Sequence, residues 1–279
     1  MKKSAARLGD AEVRDYRREG WCVRAGALSA HETAALRDAV ERVGTSTLQR
    51  IAEKSAARTY HLDGNRFVDI GHTTVQFEHH EDSQTLRVIE PVHDLEPEID
   101  ALLDDPRIAI PMQQLLGTQE LSLWTIKLNL KRPLEGSGFG WHQDAPYWMH
   151  DHDDVDNLPN VMIALDAADR GNGCLRVVRR SHLQGRLPGR EDGSQLEGFY
   201  THDRFIRDAD VVDIEVGAGD LIVFHPQLIH GSRPNASNTQ RRALIATYQA
   251  GVKPALKTGE VRRIARLPED IESRQRQRA

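Results

Sequence analysis

The sequence predicts an α+β protein whose core is a double-stranded β-helix, a cupin-like jelly roll, with N-terminal and flanking helices. Helical patterns dominate the first 118 residues, whereas short apolar strands separated by turn residues follow from about residue 121. With 279 residues and 39% hydrophobic content, the chain can bury one sizeable core. We therefore expect one domain over 1–279, made of a helical part about 1–118, a jelly-roll core about 119–252 and a C-terminal tail about 257–279.

Two helices with marked ends are predicted at the start of the helical part. Residues 10–19 form the first, with Asp10 as the expected N-cap. The second spans Ser29–Val43, where Glu32 completes a capping box with the serine. Gly44 is expected to end this helix, because glycine is the residue that most readily adopts the left-handed conformation at a C-terminus.

The remaining elements follow from apolar periodicity and helix-breaking residues. Residues 96–116 predict one or two helices broken near Pro106. The predicted strands are 20–24, two strands around a turn in 66–78, and then 121–130, 161–165, 174–178, 211–216, 221–224 and 243–248. The charge-rich stretch from Lys257 onward predicts a weak helix followed by a frayed tail.

Three residues have the composition of a metal-binding triad. His142 and Asp144 form a His-x-Asp pair, and His230 follows the apolar run 221–224 much further along the chain. Residues two apart on an extended segment point to the same face, and a buried strand over 221–224 would bring His230 alongside them. Two imidazoles and one carboxylate can occupy one face of an octahedral Fe(II) ion and leave positions open for a cosubstrate and O2.

Two other clusters contain metal-ligating residue types, as a chain with 13 histidines and 42 acidic residues must. Both lie in polar stretches with no apolar frame around them, so solvated loops are the preferred interpretation. One cluster is His150, Asp151 and His152, and the other is Glu78, His79, His80, Glu81 and Asp82.

Two adjacent arginines, Arg241 and Arg242, follow His230 after a predicted turn. Glycine, proline and asparagine residues in 231–238 predict a tight turn, and a strand begins at Arg241. This hairpin would carry a guanidinium back towards the metal, where it could hold the distal carboxylate of 2-oxoglutarate through two parallel hydrogen bonds. Arg241 and Arg242 point to opposite faces of the strand, so only one of them can reach the site.

These segments resemble the phytanoyl-CoA dioxygenase family of Fe(II)- and 2-oxoglutarate-dependent oxygenases. The matching segments are WHQD at 141–144, NGCLRVV at 172–178 followed by Ser181 and His182, and FHPQLIHGS at 224–232 with Asn235 and Arg241 in register. The stretch 136–144, with Trp148 close behind it, also resembles ectoine hydroxylase, a member of the same group. The resemblance covers about 120–250 well and the N-terminal third loosely.

The resemblance implies a role for each matched residue. It implies that iron is bound by His142, Asp144 and His230, and that 2-oxoglutarate is anchored by Arg241 rather than Arg242, with further contacts from Asn129 and Ser232. Family members that halogenate carry a small residue in place of the carboxylate ligand, so the intact Asp144 favours oxygen transfer, usually hydroxylation.

The sequence alone leaves several alternative reactions and functions open. The same oxygenase chemistry can be diverted to desaturation, cyclisation or epimerisation. A cupin-like isomerase or hydrolase could use zinc or manganese on the same triad, and a catalytically silent binding protein could keep the fold. The expected substrate is a small molecule, with specialised metabolism as the preferred setting.

Four residues near the triad are expected to line the substrate pocket. Thr125 and Lys127 alternate with Asn129 on one predicted strand, so all three face the same way. Tyr147 and Trp148 follow the His-x-Asp pair, where they either stack on a substrate or pack against the sheet. Gln143, between the two ligands, would point away from the metal and is expected to have a structural role.

Charge, apolar run length and cysteine count limit the partners that the protein is expected to bind and the compartment in which it is expected to act. A formal net charge of −5 argues against nucleic-acid binding, and no apolar run has the length needed to cross a bilayer. Two cysteines, Cys22 and Cys174, do not form a disulfide framework, and no signal peptide follows the two N-terminal lysines. We expect a cytoplasmic enzyme that acts on a small molecule as a monomer or homodimer.

Overall fold

Two antiparallel β-sheets, of nine and four strands, make up the β structure of the computed structural model, which describes residues 6–53, 57–80 and 83–265. The strands in chain order are β1 (Trp21–Arg24), β2 (Ala57–Leu62), β3 (Asn65–Ile70), β4 (Thr73–Phe77), β5 (Leu86–Glu90), β6 (Leu121–Lys131), β7 (Phe139–His142), β8 (Asn160–Ala164), β9 (Leu175–Val178), β10 (Val211–Ile214), β11 (Leu221–Phe224), β12 (His230–Ser232) and β13 (Arg241–Ala250). The large sheet has the order β1-β11-β8-β13-β6-β5-β4-β3-β2, and the small sheet has the order β10-β9-β12-β7.

The two faces of the large sheet bury different apolar sets, as the two-residue periodicity of its strands requires. Its inner face packs against the small sheet, where Ile222, Phe224 and Ala243 share one core with Leu175 and Val177. Its outer face and the helices form a second core that includes Val40, Val43, Met112, Leu128 and Leu244. The predicted jelly roll with flanking helices is therefore confirmed.

Five helices accompany the sheets in the described part of the chain: α1 (Asp10–Glu19), α2 (Ala30–Ala52), α3 (Pro97–Leu102), α4 (Pro106–Leu116) and the short α5 (Ala145–Trp148). The predicted break at Pro106 is confirmed, since Asp105 caps α4 by accepting a hydrogen bond from Arg107 N at 2.8 Å. The capping box of α2 is confirmed as well, because Glu32 accepts from Ser29 N at 2.7 Å.

Two predicted helix ends are wrong. Asp10 is the first helical residue rather than the N-cap, which is Gly9, whose N–H donates to the Glu12 carboxylate at 2.7 Å. Helix α2 continues through Gly44 to Ala52, because Gly44 lies buried on the face that packs against the sheet. Tertiary packing offsets the cost of a helical glycine, about 1 kcal/mol relative to alanine.

The part of the chain expected to be helical also supplies β1–β5, which extend the large sheet on both sides. Of these, the strands predicted around a turn in 66–78 are β3 and β4. No helix forms in 257–265, where Arg263 makes a β-bridge with Ser122 instead, and the rest of the expected tail, 266–279, lies outside the described residues. None of the helices described has both the length and the apolar character needed to span a bilayer.

Candidate active site

Strand pairing in the small sheet brings the triad together. His142 ends β7, His230 begins β12, and the two lie directly opposite each other with ring centroids 4.2 Å apart. Asp144 lies just beyond β7 with helical backbone angles at the start of α5, so the predicted extended geometry ends before it. Its carboxylate still reaches within 3.7 Å of His230 Nε2, and one ligand atom from each of the three residues lies within 4.8 Å of the others.

Backbone carbonyls orient both imidazoles. His142 Nδ1 contacts Gly140 O at 2.8 Å, and His230 Nδ1 contacts Leu228 O at 2.9 Å, which favours the tautomer that leaves Nε2 to bind a metal. Burial, together with the neighbouring His230, lowers the pKa of His142 to about 3. Burial likewise lowers the pKa of His230. Both rings are therefore held in the neutral form that a metal ion requires.

Two side chains hold the Asp144 carboxylate. Asn160 Nδ2 donates to Oδ2 at 2.9 Å, and Lys127 Nζ lies 3.6 Å from Oδ1. Burial alone would raise the pKa of Asp144, but the charge of Lys127 keeps it below its ordinary value. Two neutral imidazoles and an ionised carboxylate on one side of a cavity match the donor set that Fe(II) takes in non-haem oxygenases.

Arg241 provides a buried cation on the face of β13 that packs against the small sheet. It is 3% exposed, and its guanidinium contacts the Met162 thioether, with Nη2 3.8 Å from Sδ. Burial lowers the pKa of Arg241 to about 10. Arg242 points the other way, onto Asp166 and Glu41 at 2.8 and 2.9 Å. Of the two, Arg241 therefore faces the space between the two sheets, and it has no carboxylate at hydrogen-bond distance among the described residues.

Buried polar atoms on strands β6, β12 and β13 lack a hydrogen-bond partner among the described residues. Within the described part of the chain, Arg241 Nε, Asn129 Oδ1 and Ser232 Oγ are buried without a hydrogen-bond partner. Asn129 lies on β6 opposite Ala243 of β13, two residues from Arg241. Leaving a buried polar atom unpaired costs about 1–3 kcal/mol, so this group of atoms fits a bound polar ligand. A carboxylate accepts from Arg241 and Ser232 directly, and an amide rotation would let Asn129 donate as well.

A second buried cation, Lys131, lies opposite Arg241 in the β6–β13 register. It is 1% exposed and donates to the carbonyl oxygens of Ser137 and Arg233 at 2.7 and 2.6 Å. Burial and the charge of Arg241 lower the pKa of Lys131 to about 6. An anion bound at Arg241 would favour the protonated form of Lys131.

The four residues expected in the substrate pocket divide into two groups. Lys127 lies at Asp144, and Thr125 is buried beside it with its hydroxyl 2.6 Å from the Glu90 carboxylate. Burial would lower the pKa of Lys127, but the charges of Asp144 and Glu90 hold it above its ordinary value. These residues line the side of the triad that faces β5.

The two aromatic residues, Tyr147 and Trp148, have different surroundings. Tyr147 lies edge-on to His142 at 5.7 Å and stacks on Phe199 at 4.7 Å, so it forms a wall beside the metal-binding group. Trp148 is 4% exposed and packs edge-on against Trp124, with ring centroids 6.4 Å apart. Packing is thus the main role of Trp148, although Lys127 Nζ lies 5.9 Å from its ring.

Gln143 has the structural role that the sequence predicted. Its amide donates to Gly185 O and Gln227 O and accepts from Leu187 N, which ties the metal-binding segment to two loops. The free thiols of Cys22 and Cys174 are both buried.

Neither of the two other histidine-containing clusters contributes a residue to the metal-binding triad among the described residues. His150 and Asp151 are exposed, whereas His152 packs edge-on to Trp124 and contacts Gln249 at 3.1 Å. The expectation of a solvated loop is wrong for Glu78, which is 1% exposed and accepts from Ser137 N at 3.0 Å because its carboxylate caps a turn beside Arg87. His79 and His80 are exposed, and Glu81 and Asp82 lie outside the described residues.

Several residues at the site were missed at the level of the sequence: Glu90, Lys131, Asn160 and Phe199. Asn160 precedes a predicted strand and is spaced by two from inward-facing Met162, so strand periodicity could have found it. Phe199 comes from a loop whose course over the pocket follows no periodic pattern, so the sequence held no comparable signal for it.

Comparisons with known proteins agree with this geometry. A sequence model of the family described as phytanoyl-CoA dioxygenase (PhyH) matches residues 16–243. The L-proline trans-4-hydroxylase of Streptomyces griseoviridis is 29% identical over 261 residues, which cover 88% of this chain and 87% of that protein. The ectoine dioxygenase of Bordetella parapertussis is 26% identical over 262 residues, covering 89% of this chain and 77% of that protein.

Among solved structures, EctD from S. alaskensis with 2-oxoglutarate and 5-hydroxyectoine has a TM-score of 0.65 at 22% identity. The alignment covers 87% of this chain and 76% of that chain, and it supports the jelly-roll fold. The family model spans most of the chain, including all three residues of the triad. The chain therefore belongs to the phytanoyl-CoA dioxygenase family, whose members are Fe(II)- and 2-oxoglutarate-dependent dioxygenases.

Proposed function

We propose that this chain hydroxylates a C–H bond of a small polar molecule, with His142, Asp144 and His230 holding Fe(II) and Arg241 anchoring 2-oxoglutarate. The observation that carries the proposal is a combination of two features. Three metal-ligating side chains converge within 4.8 Å, and the inner face of the same jelly roll holds a buried guanidinium that lacks a carboxylate partner among the described residues. A zinc or manganese isomerase would need the triad but not this guanidinium.

Each residue has a distinct task in this scheme. The histidines present Nε2 because their Nδ1 atoms contact backbone carbonyls, and Asp144 is fixed by Asn160. Arg241 would pair with the distal carboxylate of 2-oxoglutarate, which is where a planar fork of two N–H donors is most effective. Asn129 and Ser232 would supply the remaining hydrogen bonds to the cosubstrate.

Bound Fe(II) with 2-oxoglutarate supplies the activation of O2 that makes an inert C–H bond reactive. The protein contributes by positioning the reacting groups and by excluding water from the triad. Phe224 packs 5.0 Å from the His230 ring, and Tyr147 with Phe199 covers His142, so water has little access to the triad from these sides. Exclusion of water limits side reactions of the activated oxygen.

Hydroxylation is preferred over desaturation, cyclisation or epimerisation. Two relatives that match most of this chain are named as an L-proline trans-4-hydroxylase and an ectoine dioxygenase, which points to oxygen transfer to a small polar compound. The alternatives use the same triad and differ in where the substrate carbon lies relative to the iron. We further propose that the enzyme acts in the reducing cytoplasm, because both of its cysteines are free and buried. We propose a monomer or homodimer as its state of assembly.

Reconstitution with the metal tests the proposal. Anaerobic Fe(II) protein should bind 2-oxoglutarate, and exposure to air should convert it to succinate in a reaction that depends on iron and accelerates with one class of small molecule. Zinc in place of iron is the matched control and should support binding without turnover. Absence of succinate, together with metal binding that is insensitive to 2-oxoglutarate, would favour the isomerase or binding-protein alternative.

A further inference from the structure

One wall of the pocket carries two opposite charges next to the metal-binding group. Val88 of β5 lies opposite Asn129 of β6, so residues spaced by two from either of them share the face that lines the cavity. Lys127 and Glu90 occupy these spaced positions. The two charged groups therefore lie on the same wall as the proposed 2-oxoglutarate contact Asn129.

A hydrogen bond from Thr125 fixes the Glu90 carboxylate. Thr125, which is 1% exposed, donates its hydroxyl to Glu90 Oε1 at 2.6 Å. A buried threonine donor fixes the direction of one carboxylate oxygen and leaves the other to accept from a ligand. Glu90 itself is half-buried, so part of its carboxylate remains accessible.

The Lys127 ammonium is also only partly engaged. Its distance of 3.6 Å to Asp144 Oδ1 is longer than a normal charged hydrogen bond of about 2.7–2.9 Å. If Asp144 binds Fe(II), part of its charge is shared with the metal, and the ammonium then has more to gain from a second anion. Lys127 therefore presents a cation close to the position where a substrate must lie.

Beyond Glu90 the wall stays polar. Thr74 of β4 pairs with Glu90 across the sheet, and its hydroxyl donates to Asp69 at 2.9 Å. Tyr60 of β2 lies 3.5 Å from the same Asp69 carboxylate. A long acyl chain would have to desolvate these groups without pairing them, which costs free energy and disfavours a lipid-like substrate.

We propose that Glu90 and Lys127 form a charge-reading pair that selects a small zwitterion, with the cationic nitrogen of the substrate at Glu90 and its anionic group at Lys127. The inference rests on the proposed function, since it assigns the substrate of the same site. A site that pairs both charges rejects an analogue lacking one of them, because a buried polar group is then left without a partner.

The competing assignment for Lys127 is a contact with 2-oxoglutarate rather than with the substrate. Both ligands carry carboxylates, so Lys127 alone does not distinguish them. Glu90 separates the two assignments, since an anion such as 2-oxoglutarate gains nothing from a second carboxylate. Variants at both residues are therefore needed.

The test measures binding by the anaerobic Fe(II)·2-oxoglutarate protein with a panel of free amino acids, cyclic imino and amidino acids and aminoalkylphosphonates. Each compound that binds is compared with its des-amino analogue, which lacks the cation, and with its carboxamide or ester, which lacks the anion. The wild-type protein should prefer the zwitterion to the des-amino analogue by about tenfold or more. Calorimetry or ligand-observed NMR supplies the affinities without turnover.

Glu90→Gln should remove most of that preference while the affinity for 2-oxoglutarate stays unchanged. Glu135→Gln is the matched control, because Glu135 also accepts a threonine hydroxyl at 2.6 Å but lies exposed, away from the pocket. Lys127→Met should remove the preference for the acid over its amide. Binding by anions alone or by cations alone, or equal losses for zwitterion and des-amino analogue in Glu90→Gln, would overturn the inference.

Two further outcomes separate this inference from the proposed function. A protein that binds 2-oxoglutarate but no member of the zwitterion panel refutes the charge-reading pair and leaves the oxygenase assignment intact. A protein that binds no 2-oxoglutarate refutes the proposed function itself. A Lys127→Met variant that loses 2-oxoglutarate affinity while keeping its preference for the acid assigns Lys127 to the cosubstrate and overturns the pair.

Discussion

Asn160 donates a hydrogen bond from Nδ2 to Asp144 Oδ2 at 2.9 Å, from a position on β8 that is completely buried. The amide is fixed in turn, because Thr247 Oγ1 donates to Asn160 Oδ1 at 2.5 Å. Asn160 and Thr247 face each other across the β8–β13 pair. The large sheet therefore orients a carboxylate that the small sheet and α5 deliver, and it couples the two layers at the metal-binding group.

Asn160→Ala is expected to weaken Fe(II) binding by about 10–100-fold, as loss of a hydrogen bond to a metal ligand does in other sites. Thr247→Val should have a smaller effect in the same direction, because Asn160 would keep its bond to Asp144 but lose its own orientation. Metal affinity by competition with a chelating dye measures both. Asn157→Ala, an exposed asparagine that contacts Asp154, is the control. Unchanged affinity in Asn160→Ala would contradict the orienting role.

Asp144→Ala is expected to abolish substrate oxidation and to lower Fe(II) affinity strongly. The variant would leave two neutral histidines and the nearby Lys127 ammonium without the carboxylate that balances a divalent cation. Succinate formation and metal content after dialysis provide the measurements. Normal hydroxylation by this variant would refute the assignment of Asp144 as an iron ligand.

Arg241→Ala is expected to impair cosubstrate binding, whereas Arg242→Ala is expected to lower stability. Arg241→Ala should weaken 2-oxoglutarate binding by about 100-fold, since a charge-assisted pair in a buried site contributes about 3 kcal/mol. Arg242→Ala should leave 2-oxoglutarate binding unchanged and lower the free energy of unfolding by about 2 kcal/mol, because it removes the charged hydrogen bonds to Asp166 and Glu41.

Titration with 2-oxoglutarate and urea unfolding of the same two arginine variants give the comparison. Equal losses of 2-oxoglutarate affinity would show that the register of β13 differs from the one described. A loss of stability in Arg242→Ala with normal cosubstrate binding would support it.

Three features that depend on a repeating pattern or a short spacing could be predicted from the sequence. The capping box at Ser29, the break at Pro106 and the strand hairpin in 66–78 all depend on neighbours within a few residues, and all three are confirmed. Gly44 shows the limit, because its local preference to end α2 was overridden by packing against the sheet. Local chemistry cannot reveal a contact with a distant strand.

The same limit applies to the site. His142, Asp144 and His230 could be picked out because the residue types themselves are informative and one spacing is short. Glu90 could not, since a lone glutamate is ordinary until the fold places it beside Thr125, and periodicity could have placed Asn160 on the inner face without revealing its bond to Asp144. Residues that orient other residues acquire their role only from tertiary structure.

His225 is expected to make the stability of the protein depend on pH. Burial lowers its pKa to about 4, and the neighbouring His182, with ring centroids 5.2 Å apart, contributes. In the unfolded chain the pKa is near the ordinary value of about 6.5. Between these two values the unfolded state binds a proton that the folded state does not, so the free energy of unfolding falls as the pH falls from about 6.5 towards 4.

His225→Asn isolates this contribution. The asparagine carbonyl can accept from Gln227 N, as His225 Nδ1 does at 3.1 Å, but it does not titrate. Urea unfolding of metal-free protein between pH 7.5 and pH 5 should show a smaller loss of stability in this variant than in the wild type. His31→Asn, at an exposed position on α2, should follow the wild-type curve. Parallel curves for wild type and His225→Asn would mean that His225 gains its proton equally well in the folded state, and that the acid sensitivity arises from other buried histidines such as His142 and His230.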